Sequence, residues 1–337
     1  MADVAARAGV STTTVSRLLA GQLRATPGTV AAVERAVQEL GYRPHRVARS
    51  LRLRQTTAIG MVTDNLVDPV LPALIKAIGE EAGKSGYTIV MGTASSPEQS
   101  ASEVDSMLAR GVDGLIIGCS WPAEYLGRHL ATCRVPVVFT NTEGPGVGMP
   151  QFGSDNEAGA HLAARHLLEL GHRSIAYVAG PATSPFNGPR LAGIRRAWRE
   201  AGLPEEKILV IEGGGTVEGG IAAAAKAVAM EGLVTAVAGY NDLTAIGVLR
   251  GLEMAGRRVP EDWSVVGFDD ISETAWTDPA LTTVHQDSAR MGRLAVDRLI
   301  RQLRGEADAD IAEPPVRLPM QLVVRRSTAA PATRSSR

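Results

Sequence analysis

The chain has 337 residues, 45% of them hydrophobic and 21% charged, with 36 acids against 35 lysines and arginines. Such a composition excludes a disordered or fibrous chain, and the length allows two or three domains with sizeable cores. The longest apolar runs, such as residues 115–117 and 208–211, are strand-length, and Asp3, Arg7 and Arg17 stand where a secretory signal would be apolar. The expectation is a soluble cytoplasmic protein with no membrane partner.

Charge is unevenly placed along the chain. Residues 1–54 hold nine arginines and three acids, a local charge of +6, which leaves −7 for the rest of a chain whose net is −1. A basic head on an acidic body is the footprint of a chain that delivers one end to a polyanion; the rival is a chance cluster on a solvated face.

The head reads as short helices. Residues 3–8 form the first, and Gly9 can take the left-handed C-terminal position. Ser11 is a good N-cap for a second helix running through Leu19. A third has Thr26 as cap, Pro27 at its first position, Val30, Val33, Val37 and Leu40 as one stripe, and Gly41 as its stop. Val4, Ala8, Val10, Val15, Leu18 and Leu19 complete a small core against that stripe.

Helix, glycine-containing turn, helix is the helix-turn-helix spacing. An α-helix fits the DNA major groove, where first-turn side chains reach base edges and phosphates. Thr12, Thr13 and Ser16 fall on the outward side, and Arg17 is long enough for a guanine or a phosphate. The plainer alternative is an ordinary capped helix in which only Ser11 matters. Next, residues 43–56 place Leu51 among Arg46, Arg49, Arg52 and Arg54. A helix of eight residues is marginal alone and needs a partner to order it; the alternative is an arginine-rich linker with Leu51 packed on the body.

From residue 58 strands alternate with amphipathic helices. Strands are expected at 59–63, 88–92, 114–118, 135–140, 175–179, 208–212, 236–240 and 264–268, and helices at 70–84, 158–170, 189–201 and 243–255, among others. This alternation predicts an α/β body of doubly wound parallel sheets, too long for one sheet core and so divided into two lobes. Ligands of such sheets bind outside the carboxyl ends of the strands.

Enzyme signatures are missing: there is no G-x-S-x-G, H-E-x-x-H or Walker loop, and "GGGTVEGG" (213–220) lacks dinucleotide-fingerprint spacing. His161 and His166 read as surface residues, Cys119 and Cys133 as reduced core thiols, and Trp276 as a stacking platform, a core residue or an interface residue. No catalytic residue, cofactor or metal is expected. The last nine residues, "AAPATRSSR", look like a flexible tail.

"DVAARAGVSTTTVSRLLAG" (3–21) and "TPGTVAAVERAVQELGYRPHRVARSLR" (26–52) resemble the amino-terminal domain of the lactose-repressor and purine-repressor (LacI/GalR) family of bacterial transcription regulators. The likeness continues in order through "DGLIIG" (113–118), "LLELGHRSIAYVAGP" (167–181), "RLAGIRRAW" (190–198), "YNDLTAIGVLRGLEMAGRRVPEDWSVVGFDD" (240–270) and "PALTTVHQD" (279–287). Family members usually carry a few more residues before the first helix, so here that helix is either uncapped or preceded by a misassigned start.

The resemblance implies a helix-turn-helix head at 1–43, a hinge helix and linker at 44–56, and a periplasmic-binding-protein-like body at 57–328. In that division one lobe holds about 57–154 and 287–317, the other about 155–286 and 318–328, with a tail from 329. It further implies a homodimer on near-palindromic double-stranded operator DNA. Ser11, Thr12, Thr13, Ser16, Arg17, Arg46 and Arg49 contact the DNA, and Leu51 is a minor-groove wedge.

A small-molecule effector would sit between the lobes on Arg190 and Asp269. Asn241, Asn141, Ser120, Trp121, Asp155 and Gln286 lie after strands or at crossovers as further lining, each equally explicable as a cap or loop hydrogen bond. Sugar-responsive members often carry aromatics where this chain has Val70, Leu71 and Gly215, so a compact polar metabolite such as a polyol or modified sugar is expected over a plain stacked hexose. The rival class is a cytoplasmic solute-binding module with no DNA role, and a Rossmann-type enzyme comes third.

Overall fold

The computed structural model describes residues 1–19, 23–42, 55–64, 69–119, 126, 129–130, 133–141, 149–230, 232–306 and 314–332. These fall into two compact units, Met1–Thr57 and Ala58–Arg337.

The head contains α1 (Ala2–Ala8), α2 (Thr12–Leu19) and α3 (Pro27–Glu39). Local chemistry sets their ends. Gly9 closes α1 at φ 67°, and Met1 stands at its start without a side-chain cap hydrogen bond. The Ser11 hydroxyl accepts from the Thr14 N–H at 3.1 Å, and Thr26 caps α3 through the Thr29 N–H with Pro27 at the first position. Val4, Ala5, Val15, Val33 and Ala36 form the core, with Ala8, Val10, Leu18, Leu19 and Val37 packed around it. Leu40 departs from the expected stripe: it is the C-cap of α3 and 46% exposed, because the helix has already ended where the stripe would bring it inward.

The body holds two parallel sheets. The first has the order β11–β5–β4–β3–β1–β2, from β1 (Ala58–Thr63), β2 (Thr88–Thr93), β3 (Gly114–Gly118), β4 (Val137–Thr140), β5 (Gln151–Ser154) and β11 (Val316–Leu318). The second has the order β7–β6–β8–β9, from β6 (Ile175–Ala179), β7 (Ile208–Glu212), β8 (Ala236–Gly239) and β9 (Ser264–Val266). Both carry helices on their faces, the α/β pattern the alternation predicts. All eight expected strands form, some with shorter ends. Beyond Val266 the chain turns its hydrogen bonds to other partners, Gly267 donating to Thr282 and Asp269 to Val284.

Four short strands lack a legible pattern: β5, β11, and an antiparallel pair, β10 (Thr283–His285) with β12 (Gln321–Val323). They matter because the chain passes between the sheets there. It leaves the first sheet at Ser154, returns to it after β10, and leaves again after β11 into β12. The longest helix of the return path, Ser288–Leu303, buries Met291, Ala295, Val296 and Leu299 against Ile116, Val138 and Phe152 of the first sheet. In the second lobe, helices Val217–Ala229 and Asp242–Met254 touch closely through glycine: a Cβ on Gly247 would lie 2.1 Å from the Val217 carbonyl oxygen.

The expected flexible tail starts docked rather than free. Ala329 donates its N–H to the Ser264 hydroxyl at 3.0 Å, and its carbonyl accepts from the buried His172 ring at 2.9 Å. Residues 333–337 lie outside the described residues. Cys119 is a buried free thiol, pushed up to about 12 by burial, and Cys133 is half-buried. No described helix is long and apolar enough to cross a membrane.

Candidate functional site

On α2 one face is spoken for by the core and the other is open. Val15 is fully buried and Leu18 and Leu19 pack beside it, while Thr12, Thr13 and Arg17 are exposed and Ser16 is half-buried. Ser11 is exposed too, but its oxygen already accepts the Thr14 N–H and lies 2.9 Å from the Thr14 hydroxyl. The helix therefore presents two threonines and an arginine to solvent, held in place by a cap. An Arg7–Glu39 contact of 2.7 Å ties α1 to α3. Arg46, Arg49 and Leu51 lie outside the described residues.

The second constellation sits at the carboxyl ends of β6, β8 and β9. Arg190 and Asp269 are 5% and 7% exposed, and Arg190 Nη2 stands 3.7 Å from Asp269 Oδ1. Arg190 Nε donates to Asn156 Oδ1 at 2.9 Å, and Nη1 donates to the Tyr240 carbonyl. Three rings enclose the guanidinium, with centroids at 3.8 Å (Phe268), 4.6 Å (Tyr240) and 5.6 Å (Phe186). A buried cation is thus satisfied by amide and carbonyl oxygens, π-faces and one carboxylate at a distance too long for a hydrogen bond.

Asp269 adopts φ 120°, outside the usual range for an L residue, and Gln286 Nε2 donates to its Oδ1 at 2.5 Å. Of the remaining expected lining, Asp155 caps the helix Asn156–Glu169 through the Ala158 N–H. Asn241 caps Asp242–Met254 and donates to the Gly215 carbonyl at 3.0 Å. Asn141 ends β4 at φ 49° with its N–H on Phe152 O. Ser120 and Trp121 lie outside the described residues.

Sequence reasoning missed Asn156 and the three rings. It looked for aromatics at 70, 71 and 215; Val70 and Leu71 are buried, Leu71 in the first-lobe core, and the Tyr240 ring lies against Gly215 and Gly180, where a Gly180 Cβ would come within 2.6 Å of it. Tyr240 follows an apolar strand directly, which was the available signal. Trp276 is 85% exposed. Among the described residues no group of three or more His, Cys, Asp or Glu is placed to hold a metal ion.

A capped helix-turn-helix head and a two-lobed parallel-sheet body with a buried charged pair at its strand ends define a ligand-responsive transcription regulator. Residues 1–45 match the family model described as bacterial regulatory proteins, lacI family, and residues 164–328 match a periplasmic binding protein-like domain. The HTH-type transcriptional repressor PurR of Haemophilus influenzae (strain PittEE) is 32% identical over 96% of this chain and 97% of its own length. PurR of Edwardsiella ictaluri is 34% identical over 97% and 96%. A crystal structure of the Lac repressor dimer bound to operator and the anti-inducer ONPF superposes with TM-score 0.87, at 32% identity over 97% of this chain and 98% of that one. The transcriptional regulator CelR in complex with cellobiose gives TM-score 0.70, also at 32% identity, over 97% and 98%. The chain belongs to the lacI family of bacterial regulatory proteins.

Proposed function

We propose that the chain is a cytoplasmic repressor rather than an enzyme, acting as a homodimer on a near-palindromic operator under control of a small polar effector. The head, residues 1–43, reads DNA with α2: Thr12, Thr13 and Ser16 on base edges, Arg17 on a guanine or phosphate, and Ser11 holding the helix start. Residues 44–56 form the hinge segment, with Arg46 and Arg49 near phosphates and Leu51 as wedge. Within the body, 57–328, Arg190 and Asp269 grip the effector, with Asn241, Asn141, Ser120, Trp121 and Asp155 around it.

The observation that carries this reading is the Arg190–Asp269 pair, held nearly out of water at the strand ends without a direct hydrogen bond between them. Burying two charges costs more than loose attraction returns, and a ligand that hydrogen-bonds both groups would offset that cost, which supports the pair as the effector's anchor. The three rings are buried and packed on the Arg190 guanidinium, so the effector expected remains a compact polar metabolite rather than a stacked hexose.

The second copy docks on the outer face of the second lobe. Exposed Trp276 borders an open groove of about 630 Å³ lined by Val217, Leu243 and Ile246. Arg250 and Glu253 beside it supply both signs of charge, as a self-complementary twofold contact needs. Selection from random duplexes tests the whole: the full chain should return paired half-sites about 10 bp apart. Equal binding to every duplex at fixed salt would refute it.

A further inference from the structure

Asp269 and Asp270 are consecutive non-glycine residues with positive φ, 120° and 61°. Strain of this kind persists only where the surroundings over-determine it, and the surroundings here are the crossovers. Asp269 accepts Gln286 Nε2 on Oδ1 at 2.5 Å, and its backbone exchanges hydrogen bonds with Val284 and Gln286. Asp270 holds both strands of the β10–β12 ribbon: Oδ2 meets His285 Nδ1 at 3.0 Å, and Oδ1 accepts Arg325 Nη2 at 2.5 Å. His285 ends β10, from which the chain enters the first lobe; Arg325 follows β12, by which it returns. The other crossover is tied separately, by the Asp155 N–H on the Leu318 carbonyl at 3.0 Å.

We propose that Asp269 and Asp270 form a clamp on the inter-lobe ribbon, and that Gln286 is a positioning residue linking the cleft carboxylate to the crossover rather than an effector contact. Asp269 is shared between Arg190 in the cleft and Gln286 on the ribbon. A ligand that takes part of that carboxylate changes its hold on Gln286, and the lobe angle follows. Asp270 keeps the ribbon registered while this happens. Coupling of this form requires two arrangements that the ligand contacts differently, and a carboxylate approached from both the cleft and the ribbon supplies them.

The inference rests on the cleft being an effector site, yet its test needs neither effector nor DNA, so each can fail without the other. In full-length Asp270→Asn and Gln286→Leu, hydrogen exchange of peptides spanning 283–290 should speed about tenfold, with the strands 175–179 and 236–239 unchanged. Spin labels at Glu80→Cys and Lys226→Cys, in a Cys133→Ser background and diluted with unlabelled chain so that a dimer carries one labelled protomer, should give one narrow inter-lobe distance in the parent and a broadened or shifted one in either variant. Unchanged exchange at 283–290, a uniform speed-up across all peptides, or identical distance distributions would each overturn the clamp.

Discussion

The head helix and the body cleft are built on opposite principles. On α2 the groups on the open face, Thr12, Thr13 and Arg17, are exposed and uncharged apart from Arg17, and a cap and three apolar residues hold the helix in place. In the cleft the groups are charged, buried and fastened by oxygens and rings from four elements. A surface that reads a polyanion gains from many weak, water-exposed contacts and tolerates change in each. A pocket that reverses its state on binding one small molecule concentrates its free energy in few groups, so under the function proposed above folding and effector binding would share the same side chains there.

Arg190→Ala should break this contrast most visibly. It leaves Asp269 buried without its cation and empties the space between three rings, so a loss of about 3 to 5 kcal/mol in urea unfolding is expected. Arg17→Ala, at an exposed helix position, should stay within about 0.5 kcal/mol of the parent. Equal destabilisation by the two would erase the distinction between the sites. Arg190→Gln is the milder probe of effector response, since it keeps an amide donor among the rings.

Next in size are Thr12→Ala and Thr13→Ala. Each should lose about 1 to 3 kcal/mol of operator affinity, mostly as lost preference over scrambled duplex. Arg17→Ala should instead weaken binding to all sequences and lower the salt slope by about one if it holds a phosphate. Operator affinity unchanged in all three would remove α2 from the interface. Smaller again is Ser11→Ala, which removes a cap: about 1 kcal/mol of head stability should go, and Ser11→Asp should restore it. Should Ser11→Asp unfold the head, the hydroxyl does something other than cap.

The two regions also differ in how far the sequence discloses them. The head was legible because its determinants are local: Gly9, Ser11, Thr26 and Pro27 act within a turn of where they stand. The body's eight apolar strands announced themselves by pattern. β5, β10, β11 and β12 did not, since Gln151, His285, Arg317 and Gln321 interrupt them and leave no apolar run, and their partners are remote in sequence. Arg190 and Asp269 were reachable only through motifs. Tyr240 offered only its place behind an apolar strand, and Asn156, Phe186 and Phe268 offered nothing, because only the assembled lobe brings four separate segments onto one guanidinium.

Two buried titrating groups of the second lobe separate by the sign of their pH dependence. Burial pulls His172 below its ordinary value; its ring lies 2.7 Å from the Thr235 hydroxyl and 2.9 Å from the Ala329 carbonyl. The unfolded chain therefore binds the proton first, and stability contributed by neutral His172 is lost as pH falls below about 6.5. Asp242 runs the other way. Burial raises its carboxyl to about 7, although Thr283 Oγ1 at 2.5 Å and the Ile271 N–H at 2.9 Å donate to it and oppose the rise. The unfolded chain releases this proton near 3.8, so the contribution of Asp242 declines as pH climbs from there to about 7. Urea midpoints across pH 4 to 8 should show Asp242→Asn gaining on the parent toward neutral pH. His172→Gln should flatten the fall on the acid side. Parallel profiles for the parent and Asp242→Asn would mean the carboxyl is already ionised at acid pH, held by its two donors against the cost of burial.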